Sequence, residues 1–421
     1  MRTDRTPMRL GALLPAPALG HHAAAWRHPD VRPERALSLD LYRALAQTAE
    51  RGRLDFLLLA DSLGEQAAGE AARHGRDSTV AHLEPLTLLS ALAVHTRHIG
   101  LAAPATTAFN EPWPLARFLA SLDVLSGGRT GWHVTVPVTD AQARNFGLDR
   151  APGEAMSYHR AQEFLEVTGR LWDGWEDDAF LYDQAGGRYT DPAKVHPAGH
   201  RGDHFQVGGP LTVPRPPQGR PVLLHPAPCG ADAREFAAQW ADVLLSGQRT
   251  VVRARAERRA LRALAADRGR DPDQVRILAT VFVVTGRTRA EAEDTYAALQ
   301  DLLDPAARLG APGTAPGTAP GTAPGPAPGP AFLLGSATDV ADELEEWFTQ
   351  GAADGFVFLP GHLPAGLAAL ADLVVPELRR RGLARTRYDG YTLRDHLGLA
   401  RPGAVTGSGC GPLLKRLSKH L

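Results

Sequence analysis

Short apolar runs alternate with segments of helical periodicity along most of the chain. The apolar runs predict strands at 8–15, 54–60, 98–103, 130–137, 221–225, 242–245, 275–285 and 355–359. The helical spacing predicts helices at 39–51, 84–96, 112–125, 158–172, 231–240, 252–268, 290–303, 339–351 and 365–381. Uninterrupted apolar strands separated by helices indicate a parallel sheet, because helices then cover both faces of the strands.

About eight strands, each followed by a helix, predict a (β/α)8 TIM barrel in one domain over residues 1–402. Residues 174–220 are rich in Gly, Asp, Pro and His and predict an inserted excursion. Residues 310–331 repeat the unit Ala-Pro-Gly-Thr, which predicts a disordered loop, and residues 403–421 predict a flexible tail. A doubly wound sheet is the alternative, but no G-x-G-x-x-G motif opens a helix after a strand.

Composition narrows the function classes. The chain has 46 Lys and Arg against 47 Asp and Glu, so no basic field points to nucleic acid. No apolar run reaches the ~18 residues of a membrane span. The two cysteines, Cys229 and Cys410, are too few for a disulfide framework or a Cys-rich zinc site. We therefore expect a cytoplasmic protein.

Candidate functional residues follow the predicted strands, where the active sites of barrels lie. Asp61 ends the second strand, and a ligand contact explains a carboxylate there better than a helix cap does. Thr106 and Thr107 follow the third strand and can bond a polar ring edge or cap the next helix. Cys229 and Gly230 precede a predicted helix whose first N–H groups can bind an anion.

Histidines form a second group of candidates. His133 lies on the fourth strand, near the expected barrel mouth, where a catalytic and a structural role are equally open. The first loop carries five residues that favour the lining of a pocket over a surface loop: His21, His22, Trp26, Arg27 and His28. A metal site is the weakest interpretation of this loop, because no carboxylate stands at ligand spacing. We therefore predict no metal.

These segments, taken in order, resemble the bacterial luciferase-like flavin monooxygenases. The branch is the one that holds the nitrilotriacetate, dibenzothiophene-sulfone and long-chain alkane monooxygenases. The stretches that carry the resemblance include AWRHP (25–29), AERGRLDFLLLADS (49–62), EPLTLLSALAVHTRHIGLAAPATTAFNEP (84–112), ARFLASLDVLSGGRTGWHV (116–134), ARNFG (143–147), YHRAQEFLEV (158–167), HFQVGGPL (204–211), PQGRPVLLH (217–225) and YTLRDHLGLARP (391–402). Each stretch is weak alone, and their common order is specific.

The resemblance implies a fold, a reaction and partners. The fold is a (β/α)8 barrel whose insertion covers the mouth, in a homodimer or homotetramer. The cofactor is reduced FMN, which a separate NAD(P)H:flavin reductase supplies. Molecular oxygen adds to the flavin at C4a, and the resulting peroxide oxidises a small organic substrate. The protein orients the ring and keeps water out.

The resemblance also assigns cofactor-binding residues. Asp61 is similar to an aspartate that contacts the flavin. Thr106 and Thr107 match threonines beside the isoalloxazine ring. Tyr158 matches a tyrosine that reaches the FMN phosphate. The loop after His225, which includes Cys229 and Gly230, corresponds to the phosphate loop.

The chain departs from the family pattern at the cofactor. His133 stands where an asparagine follows the tryptophan of the fourth strand. Glu154 replaces a histidine four residues before Tyr158 and brings like charge towards the phosphate. Residues 225–230 read HPAPCG in place of Gln-Ala-Gly and serines, and Pro104 replaces one position of the threonine run.

Three functions follow from this pattern. The first is an FMN-dependent monooxygenase in which His22, His133 and His225 handle protons. The second is a catalytically silent paralogue that binds flavin weakly or not at all and acts as a partner subunit. The third is a deazaflavin-dependent oxidoreductase. The stretches SGGR, ARNFG and GGPL favour the monooxygenase over the third function.

Overall fold

Eight parallel strands close into a barrel in the computed structural model, which describes residues 6–64, 81–136, 138–228, 230–303 and 329–403. The strands are β1 (Arg9–Leu14), β2 (Phe56–Leu59), β3 (Gly100–Thr106), β4 (Thr130–Thr135), β5 (Phe180–Asp183), β6 (Arg188–Thr190), β7 (His200–Arg201), β8 (Gln206–Val207), β9 (Val222–Pro226), β10 (Val243–Ser246), β11 (Arg276–Gly286), β12 (Ala331–Ser336) and β13 (Gly355–Pro360). The barrel runs β1-β2-β3-β4-β9-β10-β11-β13, and β13 pairs with β1 to close it.

Most of the helices lie on the outside of the barrel, and the last one lies at its amino-terminal end. They are α1 (Leu39–Arg51), α2 (Pro85–Ala93), α3 (Pro112–Ser126), α4 (Asp140–Arg144), α5 (Glu154–Trp172), α6 (Ala231–Trp240), α7 (Val251–Asp267), α8 (Arg289–Asp301), α9 (Ala337–Thr349), α10 (Ala365–Ala369), α11 (Val375–Arg380) and α12 (Leu393–Leu397). A π-helical turn, Leu370–Val374, joins α10 to α11. None of the helices in the described ranges is long and apolar enough to cross a membrane.

Alternating side chains divide the core into a barrel lumen and an outer layer. The lumen cluster combines Phe56, Leu58, Ala102, Val222, Leu224, Val243, Leu278 and Val357 with Leu393 and Leu397 of α12. A β-carbon on Gly100 or Gly131, near the starts of β3 and β4, would meet Leu393. Helix α12 therefore closes the amino-terminal end of the barrel, and the open mouth lies at the carboxyl ends of the strands.

A glycine gives the lumen its shape near β2. A β-carbon on Gly11 would lie 2.5 Å from Cζ of Phe56. Since real β-carbons do not approach a ring so closely, glycine at this position of β1 leaves the space that the buried Phe56 ring fills.

The insertion between α5 and β9 consists of two small antiparallel hairpins, β5–β6 and β7–β8. An ion pair inside the protein anchors it, because Nε of Arg215 lies 3.2 Å from Oδ1 of Asp173 and both side chains are almost fully buried. The rings of Trp175 and Phe180 stack at 5.1 Å. The insertion is therefore packed structure with a charged anchor.

The predicted barrel and its insertion are confirmed, with local corrections. Helices α1 and α6 have the predicted bounds, whereas α5 begins at Glu154 rather than at Tyr158. The predicted loop ended at Ala331, but that residue is buried and begins β12, a ninth strand beside the end of β11. Residues 310–328 of the predicted loop and residues 404–421 of the predicted tail lie outside the described residues.

Candidate active site

Polar side chains meet at the carboxyl ends of β3, β4 and β9, which are neighbours in the barrel. His133 pairs in register with Pro104 of β3 and Leu224 of β9. Thr106 ends β3, and Thr107 continues the ladder by donating its N–H to the carbonyl of Thr135, 3.2 Å away. The fold thus brings the threonines and His133 to one side of the mouth.

The two threonines differ in what their hydroxyls do. Oγ1 of Thr106 accepts a hydrogen bond from the N–H of Ala108 at 3.1 Å, so this hydroxyl caps the turn after β3. Oγ1 of Thr107 is buried and has no hydrogen-bond partner among the described residues. An unsatisfied buried hydroxyl costs free energy, and a bound polar ligand would remove that cost. Thr107 is therefore the better ligand contact.

The side chain of His133 faces the lumen. Its neighbour Trp132 points outward and packs on Phe164 and Trp172 of α5, at ring-centroid distances of 5.9 and 6.3 Å. Successive strand residues face opposite sides, so His133 points inward. Burial and then the charge of His225 lower the pKa of His133 to about 3, so the imidazole is neutral at neutral pH. Its Nε2 is buried without a partner in the described parts of the chain.

His225 presents a hydrogen-bond acceptor. Its Nδ1 lies 2.6 Å from the carbonyl oxygen of Pro226, so Nδ1 carries the proton and donates it. Burial lowers the pKa of His225 to about 4, which leaves the ring neutral. Nε2 is then an acceptor, buried and unpartnered among the residues described. The ring packs near Tyr158 and Phe236, at centroid distances of 6.4 and 5.4 Å.

The first turn of α5 lies beside the start of α6. Gly230 precedes α6 with φ of +99°, a left-handed conformation that favours glycine. Oε1 of Glu154 lies 3.4 Å from the point where Gly230 would carry a β-carbon. Tyr158, one turn further along α5, is buried and packs on Phe236 of α6, 5.5 Å between ring centroids. Cys229 lies outside the described residues.

Asp61 follows β2 and contacts a histidine that sequence reasoning missed. Its Oδ1 lies 3.0 Å from Nε2 of His82, and both side chains are mostly buried. The carboxylate therefore has a protein partner in this structure. No pattern around His82 marked it, because it precedes a helix rather than following a strand.

The opposite wall of the mouth is apolar. Phe282, Val284 and Leu359 form a buried cluster on β11 and β13, with Leu13, Tyr296 and Leu334 packed against it. His22, from the loop after β1, stands edge-on to Tyr296 at 6.1 Å between ring centroids. His22 therefore belongs to this wall, three strands away from His133.

His22 presents a hydrogen-bond donor. The N–H of Ala24 donates to Nδ1 of His22 at 3.1 Å, so the neutral ring carries its proton on Nε2. Burial and then the charge of His362 lower the pKa of His22 to about 4. Nε2 is buried without a partner among the residues described. His362, two residues after β13, was missed, although the strand-end rule that selected Asp61 would have found it.

The arrangement suits a flat, polar heterocycle with an apolar neighbour. One wall offers the hydroxyl of Thr107 and the neutral imidazole of His133, and the other offers aliphatic and aromatic surface. The neutral imidazole of His225 lies behind the polar wall, against Tyr158 and Phe236 of the outer helices. The neutral imidazoles hold no charge that would repel a proton donor or attract bulk water. A flavin ring has N–H donors and carbonyl acceptors along one edge, so the unpartnered atoms of Thr107 and His133 fit such a ring.

Known sequences match the chain over most of its length. The family described as luciferase-like monooxygenase matches residues 8–354. Nitrilotriacetate monooxygenase component A from Aminobacter aminovorans is 37% identical over 430 aligned positions, which cover 91% of this chain and 95% of that protein.

Solved structures show the same architecture. A long-chain alkane monooxygenase superposes with a TM-score of 0.83 at 29% identity and covers 94% of this chain and 96% of its own. A riboflavin lyase solved with modified FMN and riboflavin superposes with a TM-score of 0.82 at 28% identity, covering 94% of this chain and 97% of its own. The fold is therefore shared with a monooxygenase and with a protein that was solved with a modified flavin.

Proposed function

The chain belongs to the luciferase-like monooxygenase family, and on that premise we propose that it is the oxygenase component of a two-component monooxygenase that uses reduced FMN. Its substrates are molecular oxygen and a small organic molecule. The observation that carries the cofactor is the pair of buried, unpartnered polar atoms on Thr107 and His133, at the carboxyl ends of the paired strands β3 and β4. The relative named as a component A and the lyase solved with modified FMN support the same proposal.

The polar wall would hold the ring. When bound, reduced FMN supplies the two electrons that activate oxygen for insertion into a substrate. The Thr107 hydroxyl and the His133 imidazole satisfy the polar edge of the ring, and Nε2 of His225 accepts from a hydroxyl or N–H group nearby. Asp61 stays at the flavin side as a carboxylate held by His82.

The start of α6 would hold the phosphate. Gly230 opens the approach to the first N–H groups of the helix, which favour an anion, and Tyr158 borders the same region. Glu154 disfavours phosphate binding there, because its carboxylate lies beside Gly230. We therefore expect weaker phosphate binding than a neutral side chain at position 154 would allow.

The substrate would lie against the apolar wall. Leu359, Phe282 and Tyr296 supply a surface from which water is excluded. The protonated Nε2 of His22 can donate to an oxygen atom of the substrate, and His133 and His225 can accept a proton as neutral bases. The insertion 174–220, anchored by Asp173, covers the mouth in this proposal.

The absence of a dinucleotide-binding motif and the exposure of several apolar side chains suggest two kinds of protein partner. No G-x-G-x-x-G motif follows a strand, so we assign hydride supply to a separate NAD(P)H:flavin reductase. Val94, Phe118 and Leu125, on and beside α2 and α3, are 58–76% exposed, which supports a homodimer or homotetramer through these helices. We place the protein in the cytoplasm.

A second candidate function is supported by Glu154 alone. A carboxylate beside the phosphate position favours a silent paralogue that binds no flavin and acts as a partner subunit.

One titration distinguishes the monooxygenase from the silent paralogue. The purified full chain is titrated anaerobically with oxidised and with reduced FMN, and flavin absorbance is followed. Micromolar binding of reduced FMN supports the monooxygenase. Binding of neither form at high micromolar concentration contradicts it, and a deazaflavin is then titrated.

A further inference from the structure

A histidine-rich cluster lies outside the flavin-facing wall, between the loops that follow β1 and β13. His28, Asp30 and His362 each point one potential ligand atom into the cluster, and these three atoms lie within 4.8 Å of one another. The rings of His28 and His362 are 4.6 Å apart between centroids, tilted by 40°. Nδ1 of His28 lies 3.9 Å from Oδ2 of Asp30.

Backbone hydrogen bonds hold the two loops together. The N–H of His22 donates to the carbonyl of Gly361 at 2.9 Å, and the N–H of Leu363 donates to the carbonyl of Leu19 at 2.9 Å. These bonds lie on either side of His362 in sequence. The imidazoles of the cluster are therefore brought together by the closure of the barrel between β1 and β13.

The two imidazoles of the cluster are more buried than its carboxylate, so an ion could reach the cluster from solvent on the side of Asp30. His362 is buried and the side chain of His28 is only 11% exposed, whereas the side chain of Asp30 is 66% exposed. Two largely buried nitrogen ligands thus lie behind one exposed carboxylate. Next to them, Nε2 of His22 is buried without a partner among the described residues.

The distances are close to those of a metal site. Ligand atoms on one tetrahedral zinc ion stand about 3.3 Å apart, because each bond is ~2.0–2.1 Å long. The cluster therefore needs a contraction of at most about 1.5 Å, which a rotation of the exposed Asp30 side chain can supply in part. Two imidazoles and one carboxylate favour Zn²⁺ and similar transition-metal ions over Mg²⁺ or Ca²⁺.

We propose that His28, Asp30 and His362 bind one divalent transition-metal ion of the zinc class. The site lies at the mouth of the barrel and does not depend on the flavin assignment. It differs from the sequence-based expectation of no metal in this loop, which did not consider Asp30 two residues after His28 and could not place His362 beside them.

Metal binding to the full chain tests this proposal. The chelator-treated protein is titrated with Zn²⁺ by calorimetry, and Co²⁺ is titrated in parallel for a visible absorption band. We expect one equivalent of Zn²⁺ with a dissociation constant in the micromolar range or below. Asp30→Asn, at an exposed position that leaves the fold intact, and His362→Gln are each expected to weaken binding at least tenfold.

A matched control comes from a similar cluster on the surface. Nδ1 of His159 lies 2.8 Å from Nε2 of His204, and Nε2 of His159 lies 4.0 Å from Oδ2 of Asp203. Asp203→Asn should leave Zn²⁺ binding as in the parent protein. The absence of binding in the parent, or binding that Asp30→Asn and His362→Gln leave unchanged, would overturn the proposal. A loss in Asp203→Asn alone would place the ion at His159 and overturn it equally.

Discussion

Oε1 of Glu154 lies 3.4 Å from the position that a β-carbon on Gly230 would occupy. Two residues 76 positions apart, at the starts of α5 and α6, thus meet where an anion is expected at a helix N-terminus. This contact bears directly on cofactor affinity, because a carboxylate and a phosphate repel each other.

Neutralising Glu154 should strengthen FMN binding. We expect Glu154→Gln to lower the dissociation constant for FMN about three- to tenfold, a moderate effect because the side chain is exposed and screened by salt. The gain should shrink as salt is added. Fluorescence titration at two ionic strengths measures it. Glu343→Gln on the remote helix α9 is the control. Equal affinities in the parent protein and in Glu154→Gln would show that no phosphate binds beside Glu154.

Substitution by valine should affect protein stability and FMN affinity differently at Thr107 and at Thr106. Thr107→Val removes a buried hydroxyl without a described partner, so the free energy of unfolding should stay constant or rise by about 1 kcal/mol. FMN affinity should fall about three- to tenfold, because the hydrogen bond to the ring is lost.

Thr106→Val supplies the comparison. It removes the acceptor of the Ala108 N–H and should lower the free energy of unfolding by about 1 kcal/mol. Urea denaturation and FMN titration on both variants give the two results. If Thr107→Val destabilises the protein and leaves FMN affinity unchanged, its hydroxyl serves the fold and not the cofactor.

The buried imidazole of His225 should make stability depend on pH. Above pH 6.5 the ring is neutral in both the folded and the unfolded state. Below 6.5 the unfolded chain binds a proton, whereas the folded chain does so only near pH 4. The free energy of unfolding therefore falls between pH 6.5 and 4 by about 1.4 kcal/mol per pH unit for this group.

His225→Gln tests that dependence. Urea denaturation at pH 7.5 and pH 5 should show a loss of stability that is about 2 kcal/mol smaller in the variant than in the parent protein. His159→Gln, at a side chain that is 59% exposed, should leave the loss as in the parent. A loss of the same size in His225→Gln would mean that this ring titrates alike in both states.

The buried ion pair should decide whether the insertion stays in place. Asp173→Asn removes the buried carboxylate that pairs with the guanidinium of Arg215 and leaves only the half-exposed Asp177 beside it, which should lower the free energy of unfolding by about 3 kcal/mol. Hydrogen exchange should speed up in residues 174–220 before the rest of the chain. Asp178→Asn, which removes an exposed contact with Lys194, is the control and should leave the unfolding midpoint unchanged. Equal exchange rates in both variants would contradict the anchoring role.

The hydrophobic pattern predicted the barrel correctly. Its strands are covered on both faces, so each one is a continuous apolar run in the sequence. Leu39–Arg51 has the predicted bounds, since Ser38 caps it and its apolar face is regular. β12 was missed, because Ala331–Ser336 follows a Gly- and Pro-rich repeat and pairs only with the extended end of β11. Helix α12 was also missed, because it is only five residues long and is stabilised by the packing of Leu393 and Leu397 in the barrel lumen.

The site was predicted in part. Strand ends located Thr107, His133 and His225, because all barrel strands point the same way. The tautomers of His22 and His225 depend on hydrogen bonds to the backbone groups of Ala24 and Pro226. Residue spacing in the sequence does not predict these hydrogen bonds. His362 is distant in sequence from the first loop, and only the closure of the barrel places it there.

The central claim is that this chain holds reduced FMN and controls its reaction with oxygen. Stopped-flow mixing of the anaerobic complex with oxygenated buffer tests it most directly, with flavin absorbance as the signal. The account predicts oxidation that is clearly slower than that of free reduced FMN, and faster again in the variants Thr107→Val and His133→Ala. Oxidation at the rate of free reduced FMN, with saturating protein present, would contradict it.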